Sequence, residues 1–211
     1  MAKKKYGSYS KHSGGRKVKG ENLNKVMMKD INFLRDLNNV GRMQEHHLKE
    51  HNIPASRATK MVWDGYIQKS EDHKGNTCWN ITKEGRELLA RETGEDVSAY
   101  KAQGLNSRYY HDLKLADINA TLTREERDSW ITETRLREMW NERLEEIKRT
   151  DEDEYNRLKE LNISPPDGAY IDSSGVIHAV EVISIWYTQE QIDAKIEYCN
   201  QMNMEFHGYR C

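Results

Sequence analysis

Residues 66–81 constrain the front of the chain more than any other stretch. Two runs of strand-forming residues, 66–69 and 78–81, flank a polar turn at 72–76, and this order predicts a two-stranded hairpin. Thr82 follows as a helix-capping residue, with Glu84 and Glu87 in the first turns of the next helix. The sequence therefore predicts a hairpin that leads directly into a helix.

Three helices are predicted before this hairpin. A second helix fits residues 41–51, and a third runs from Pro54, which suits a first helical position, to about Asp64, before Gly65. The first helix is indicated by apolar residues at three- and four-residue steps: Leu23, Val26, Met27, Ile31, Leu34 and Leu37. Three helices, a hairpin and a closing helix are the order of a winged helix-turn-helix domain, predicted here over residues 21–94.

The segments 56–61 and 79–86 also resemble the winged helix-turn-helix superfamily, in its third helix and in the strand and turn after the wing. The resemblance implies that the third helix enters the major groove of DNA and that the hairpin lies beside the phosphate backbone. Winged helices also serve as protein-docking modules, and that alternative stays open. The predicted DNA-binding residues are Ser56, Arg57, Thr59, Lys60, Lys69, Lys74, Lys17 and Lys19.

Charge is divided unevenly along the chain. Residues 1–94 hold 19 Lys and Arg against 11 Asp and Glu, whereas residues 95–211 hold 14 against 24. We interpret residues 1–20 as a flexible basic arm and residues 95–108 as a linker. No apolar run is long enough to span a membrane, and three widely spaced cysteines indicate reduced thiols in a cytoplasmic protein.

In the rear half, residues 109–211, an acid follows two prolines at Asp167, a turn is predicted at 172–175, and Glu181 stands among strand formers. A helix is predicted over about 188–201. We also expect the indoles of Trp130, Trp140 and Trp186 to be core residues.

This order resembles the PD-(D/E)XK nuclease-like fold, and more narrowly the replication-relaxation family of plasmids and other mobile elements, whose members place a winged helix before such a domain. The predicted fold class is therefore α+β, an N-terminal winged helix-turn-helix domain followed by a C-terminal α/β PD-(D/E)XK-like domain. The matching residues are Tyr110, His111, Leu113, Trp130, Glu133, Leu136, Arg137, Pro166, Asp167, Gly168, Val180, Glu181, Val182, Lys195, Ile196 and Tyr198.

The resemblance implies a set of catalytic residues. Asp167 and Glu181 would bind Mg²⁺, Glu133 would be an additional acid, and His111 would stand at the edge of the site. The family's lysine two residues after the second acid is replaced by Ile183, and Lys195, one helix downstream, is the candidate substitute. We expect that Lys195 does not replace it. A turn and a strand with no metal chemistry remain an alternative.

We therefore expect a DNA-binding protein of a plasmid, phage or other mobile element, acting in replication, transfer or transcriptional control. Its rear domain would be a degenerate nuclease that needs no cofactor, and its partners would be double-stranded DNA and replication, transfer or transcription proteins, but no membrane. The alternative is a Mg²⁺-dependent endonuclease or nickase acting through Glu133, Asp167, Glu181 and Lys195. A protein-interaction module in a larger assembly is a third hypothesis, and homodimer formation stays open.

Overall fold

The computed structural model describes residues 23, 25–72, 74–94, 97 and 109–211. The predicted basic arm, with Lys17 and Lys19, lies outside the described residues, as does the predicted linker apart from Val97. The described chain combines helices with two β-sheets. It is thus a mixed α/β protein, consistent with the predicted α+β class.

The front half contains short helices around a three-stranded sheet of order β1-β3-β2. Helix α4 begins where the sequence predicts, because the Thr82 hydroxyl accepts the amide hydrogen of Gly85 at 3.0 Å. The predicted helix over 41–51 is shorter than expected, since Met43 instead pairs with Trp79 in the sheet. The elements are α1 (Met28–Val40), β1 (Met43–Gln44), α2 (Glu45–Glu50), α3 (Ala55–Trp63), β2 (Ile67–Glu71), β3 (Thr77–Ile81) and α4 (Lys83–Thr93).

Gly85 sets how closely α4 approaches the hairpin. A β-carbon at this position would lie 2.1 Å from the carbonyl oxygen of Tyr66 and 2.8 Å from the Ile81 side chain. Both neighbours belong to the packed hairpin and its entry, so no larger residue fits. Packing, rather than backbone conformation, therefore requires the glycine at position 85.

The rear half contains a four-stranded sheet of order β4-β5-β6-β7. Strands β4, β5 and β6 are antiparallel neighbours, whereas β6 and β7 are parallel and are connected through α9. The predicted helix over about 188–201 is observed as α9. The elements are α5 (Tyr109–Thr121), α6 (Arg124–Asp128), β4 (Ile131–Thr132), α7 (Glu133–Thr150), α8 (Glu152–Glu160), β5 (Gly168–Ile171), β6 (Ile177–Ile183), α9 (Gln189–Met202) and β7 (Glu205–Arg210).

Helix α5 connects the two halves of the protein. It packs against α1, α2 and β1 in the front half and against β6 in the rear half. Leu115 and Ile118 consequently belong to the same buried apolar cluster as Leu34 of α1 and Val180 of β6. A second cluster, which includes Leu136 of α7, lies between β5, β6 and helices α7 and α9. The two halves therefore share a continuous core.

A buried carboxylate also joins the halves. Asp36 of α1 is fully buried and accepts two hydrogen bonds from the Arg124 guanidinium of α6, at 3.0 and 2.9 Å. His51 lies 3.5 Å away on the same carboxylate. Such paired geometry offsets the cost of burying the charges.

No helix in the described part of the chain is long and apolar enough to cross a membrane.

The tryptophan predictions hold in part. Trp130 is buried and Trp140 packs against the second cluster, but Trp186 is 84% exposed. Trp63 of α3 is likewise exposed, at 64%. Trp186 falls in the short loop between β6 and α9, where no element covers it, so its apolar character alone did not reveal its position.

We expect His51 to make stability sensitive to mild acid. Burial, and the charges of Arg127 and Arg124, lower the pKa of His51 to about 4. As the pH falls, the histidine is protonated in the unfolded chain before it is protonated in the folded protein. The contribution of neutral His51 to the free energy of unfolding is therefore present above about pH 6.5 and is lost as the pH falls toward 4. Between about pH 7 and pH 5, His51→Gln should lose about 2 kcal/mol less unfolding free energy than the wild type, measured by urea denaturation.

Equal losses in the wild type and His51→Gln would contradict the assigned role of His51.

Candidate functional site: a buried polar cluster in the rear half

The two acids singled out from the sequence meet in the structure. Asp167 directly precedes β5 and Glu181 lies within β6, and the register Gly168 opposite Val180 makes them neighbours across the sheet. The Asp167 amide donates to Glu181 Oε2 at 2.9 Å, and the Val182 amide donates to Asp167 Oδ2 at 2.8 Å. Asp167 is 7% exposed and Glu181 is 1% exposed. Both acids are thus fixed by backbone donors inside the protein.

Gly168 allows the chain to approach the core at this point. A β-carbon at position 168 would lie 2.4 Å from the indole ring of Trp130. The Pro-Asp-Gly sequence is therefore more than a turn, because its glycine admits a buried aromatic ring beside the acid.

Lys195 of α9 points into the same region. Its ammonium nitrogen lies 3.2 Å from Glu181 Oε1 and donates to the carbonyl oxygen of Pro165 at 2.7 Å. Lys195 therefore lies beside Glu181 rather than in solvent, and whether it replaces the missing lysine stays a prediction. A helix that crosses over the parallel β6–β7 pair brings this residue back onto the sheet face that carries Glu181.

Ile183, at the position where related sites carry a lysine, has a packing role. A β-carbon on Gly208 of β7 would lie 2.6 Å from Ile183 Cδ1. The isoleucine side chain thus occupies the space that glycine leaves open on the neighbouring strand. An ammonium group at this position would have to displace that contact.

His111 of α5 forms the link between the acids and the front half. Its Nε2 lies 2.9 Å from Asp167 Oδ2, and its Nδ1 lies 3.4 Å from Asp112 Oδ1. Burial alone would lower the pKa of His111, but the hydrogen bonds and charges of Asp112 and Asp167 raise it to about 10. His111 is therefore a buried imidazolium at neutral pH. It contacts Asp167 directly, whereas the sequence placed it at the edge of the site.

Glu181 has two further donors on its other oxygen. The Tyr187 hydroxyl donates to Glu181 Oε1 at 2.7 Å, beside the Lys195 ammonium. Burial and the neighbouring Asp167 charge raise the pKa of Glu181 to about 7, although Lys195 and Tyr187 partly offset this effect. We refer to Asp167, Glu181, Lys195, His111 and Tyr187 as the rear cluster.

Glu133, the predicted additional acid, does not join the rear cluster. Thr132 pairs with Gly168, which brings the backbone of Glu133 close to that of Asp167. Its carboxylate is nevertheless bound by Arg137 at 2.6 Å, and its side chain is 32% exposed. No hydrogen bond or ion pair between described residues connects it to either acid. Glu133 instead forms an ion pair with Arg137, four residues later in α7.

Mg²⁺ prefers carboxylate oxygens and water as ligands, and the rear cluster offers the carboxylates of Asp167 and Glu181. Glu181 Oε1 is already in contact with an ammonium and a hydroxyl, and Glu181 Oε2 accepts an amide. Asp167 Oδ2 accepts an amide and faces the imidazolium of His111. The protein's own cations thus hold the positions next to the oxygens that a metal would need. Among the described residues only Asp167 Oδ1 of the four carboxylate oxygens has no such contact, so a resident Mg²⁺ ion would have to displace the donors on the other three.

A largely apolar cleft of about 570 Å³ opens beside the rear cluster. The loop at 184–187 contributes to its lining, together with Tyr110, His111 and Cys211. Ile185 and Trp186 in this loop are 81% and 84% exposed, while the adjacent Tyr187 binds Glu181. The rear cluster is therefore connected through one residue to an exposed apolar loop.

The predicted DNA-contacting residues of α3 differ in their exposure and contacts. Ser56, Thr59 and Lys60 are exposed, as expected. Arg57 is not free, because its guanidinium forms an ion pair with the fully buried carboxylate of Asp30 and donates to the Lys25 carbonyl oxygen at 2.8 Å. The DNA contact of Arg57 stays a prediction, and in the structure this side chain ties α3 to α1.

The hairpin lysines are both exposed, as predicted. Lys74 lies over the Tyr110 ring, 5.6 Å from its centroid, so the tip of the hairpin is close to α5. Lys69 lies at the centre of β2.

Tyr187 and Asp112 had not been identified as site residues, and no local pattern marks them.

Comparisons of the chain with protein-family models, curated proteins and solved structures give no match. The resemblance to the replication-relaxation family therefore stays a prediction. Any functional argument rests on the geometry of α3, the hairpin and the rear cluster.

We expect the rear cluster to stabilise the fold. Asp167→Asn should lower the free energy of unfolding by about 3 kcal/mol, because it leaves buried cationic groups without a full partner. Asp193→Asn in α9 is a matched control on an exposed acid and should change stability by less than about 0.5 kcal/mol. Urea denaturation measures both values. If Asp167 and Glu181 formed a strained pair of like charges, Asp167→Asn would instead raise the stability.

Proposed function

We propose that the protein binds double-stranded DNA through the outer face of α3 and the β2–β3 hairpin. One observation carries this proposal: the side of α3 that faces away from the core presents Ser56, Thr59 and Lys60 to solvent. Hydroxyl and ammonium groups on one exposed helix face are typical of contacts to phosphates and base edges. The biological setting implied by the resemblance, a mobile element's replication, transfer or transcription, belongs to the same proposal.

The distribution of charge supports this face over others. Lys69 and Lys74 are exposed on the hairpin, and the front half has an excess of basic residues, whereas the rear half has an excess of acidic ones. Lysine ammonium groups near phosphates supply much of the sequence-independent affinity for DNA. The acidic rear half repels a phosphate backbone, so the front half is the better DNA surface.

For the rear cluster we propose a structural role without catalysis. The support is that hydrogen-bond donors and two cationic side chains already engage its carboxylates. A buried ion-pair network of this kind fixes the relative position of α5, β5, β6 and α9. The exposed loop residues Ile185 and Trp186 favour a protein partner at this end of the molecule, because large apolar side chains are rarely left in water without one.

Phosphodiester hydrolysis is a second candidate function, favoured by the position of Lys195 beside Glu181. It requires that Asp167 and Glu181 exchange their present donors for a divalent ion. Lys195 would then be free to orient a water molecule or stabilise negative charge.

The DNA-binding proposal predicts a specific effect of Lys60→Ala. Loss of one phosphate contact should weaken binding to a mixed-sequence duplex about five- to tenfold at about 0.1 M salt. The slope of log K against log salt should become shallower by about 1. Fluorescence anisotropy over a salt series measures both quantities.

Lys159→Ala provides the control, since it removes the same charge from an exposed site on α8. It should leave the affinity and the slope unchanged. Equal effects of the two substitutions, or no detectable duplex binding by the wild type at low salt, would refute the assignment of α3 as the DNA-contacting face.

The proposed absence of catalysis is tested with supercoiled plasmid. We expect no nicking by the wild-type protein with either Mg²⁺ or Mn²⁺. Nicking that is abolished in both Asp167→Asn and Lys195→Met, while Asp193→Asn retains it, would establish the nuclease function instead. Such an outcome would leave the DNA-binding proposal for α3 intact.

A further inference from the structure

A second group of polar side chains lies where β6 and β7 begin. His178 is opposite Glu205 in the parallel pair, and His207 follows two residues later in β7. Residues i and i+2 of a strand share a face, so Glu205 and His207 project on the same side of the sheet. The three side chains come together there, within reach of Asp172 in the β5–β6 turn.

The proton on His178 is fixed by Asp172. His178 Nε2 lies 3.0 Å from Asp172 Oδ2. The other oxygen, Oδ1, accepts hydrogen bonds from the Ser174 amide and hydroxyl and from the Val176 amide. A carboxylate has only acceptor oxygens, so Asp172 Oδ2 accepts a hydrogen from His178 Nε2. Neutral His178 therefore carries its hydrogen on Nε2 and a lone pair on Nδ1.

That lone pair faces a ring nitrogen of His207 and a carboxylate oxygen of Glu205. His178 Nδ1 lies 2.9 Å from His207 Nε2 and 3.4 Å from Glu205 Oε2, and His207 Nε2 lies 3.9 Å from the same oxygen. A hydrogen on His207 Nε2 satisfies one contact but leaves the Glu205 oxygen facing a lone pair. A cation placed between the three atoms satisfies all of them.

The three separations, 2.9, 3.4 and 3.9 Å, bracket the spacing of ligand atoms around a tetrahedral ion, so the closest pair must part and the widest pair must close when an ion binds. A centre with bonds of about 2.1 Å separates its ligand atoms by about 3.4 Å. We propose that His178 Nδ1, His207 Nε2 and Glu205 Oε2 bind a divalent transition-metal ion of the zinc type. Asp172 acts as the outer carboxylate that orients His178, an arrangement common among metal-binding histidines.

The ligand types define the class of ion. Two imidazole nitrogens and one carboxylate favour Zn²⁺, Co²⁺ or Ni²⁺ over Mg²⁺ and Ca²⁺, which prefer oxygen ligands. Three protein ligands leave a further coordination position for water or an external group. The His207 and Glu205 side chains are 38% and 62% exposed, so an ion can enter from solvent. The bound ion would join β6 and β7 independently of any DNA contact.

A second histidine group, formed by His46, His47 and Asp117, provides an internal contrast. The Gln44 amide donates to His47 Nδ1 at 3.0 Å, so neutral His47 carries its hydrogen on Nε2. That nitrogen lies 3.2 Å from Asp117 Oδ1 without a hydrogen bond to it, whereas His46 Nε2 is hydrogen-bonded to the same oxygen at 3.1 Å. His47 therefore has no free lone pair for a metal, and this group is a hydrogen-bonded link between α2 and α5.

The proposal is tested with untagged protein that has been treated with EDTA and then titrated with Co²⁺ near neutral pH. We expect one equivalent to bind with visible absorption typical of low coordination number, and Zn²⁺ to displace it. Glu205→Gln and His207→Gln, at partly exposed positions, should each weaken binding at least about tenfold, and Asp172→Asn about 10–100-fold. Circular dichroism checks that each variant is folded.

His46→Gln is the matched control and should bind Co²⁺ as the wild type does. The proposal is overturned if the folded wild type binds no Co²⁺. It is also overturned if Glu205→Gln and His207→Gln bind as tightly as the wild type, or if His46→Gln alone loses the ion.

Discussion

The hydrogen bond between His111 Nε2 and Asp167 Oδ2, at 2.9 Å, anchors α5, the helix that packs against both halves, to the buried acids of the rear half. It fixes α5 to the start of β5, and α5 in turn packs against α1, α2 and β1. The apolar residues of α5 then complete a core that reaches from the front helices to β6. The Asp36–Arg124 pair provides a second polar connection between the same halves. A basic front half and an acidic rear half are consequently parts of one packed unit.

The same interaction bears on function. Asp167 Oδ2 is bound by the His111 imidazolium and by a backbone amide, so it is not available to a metal ion. Glu181 is likewise bound by Lys195 and Tyr187. The likeness to a nuclease site is then one of residue order, while the proposed role of the cluster is to hold the fold. The proposed DNA contact lies on the exposed face of α3 and on the hairpin, whose lysines have no comparable buried partners.

Features encoded locally were predictable from the sequence. The β2–β3 hairpin follows from two strand-forming runs around a polar turn, and α4 follows from the capping hydroxyl of Thr82. The proximity of Asp167 and Glu181 was also predictable, because strand pairing brings them together. The contacts that were not predictable join side chains distant in sequence. Arg57 meets Asp30 across 27 residues and His111 meets Asp167 across 56, and no local spacing encodes such pairs. The contact of Lys195 with Glu181 was not predictable for the same reason, since its direction depends on how α9 crosses the sheet.

The central claim is that cations of the protein itself occupy the place of a metal in the rear cluster. Nitrogen-15 spectra of the histidine side chains report the charge of His111 directly, at about pH 8 with and without added Mg²⁺. Because its pKa is raised to about 10, we predict that His111 is an imidazolium under both conditions. A neutral His111 at this pH, or one that loses its proton when Mg²⁺ is added, would contradict the account.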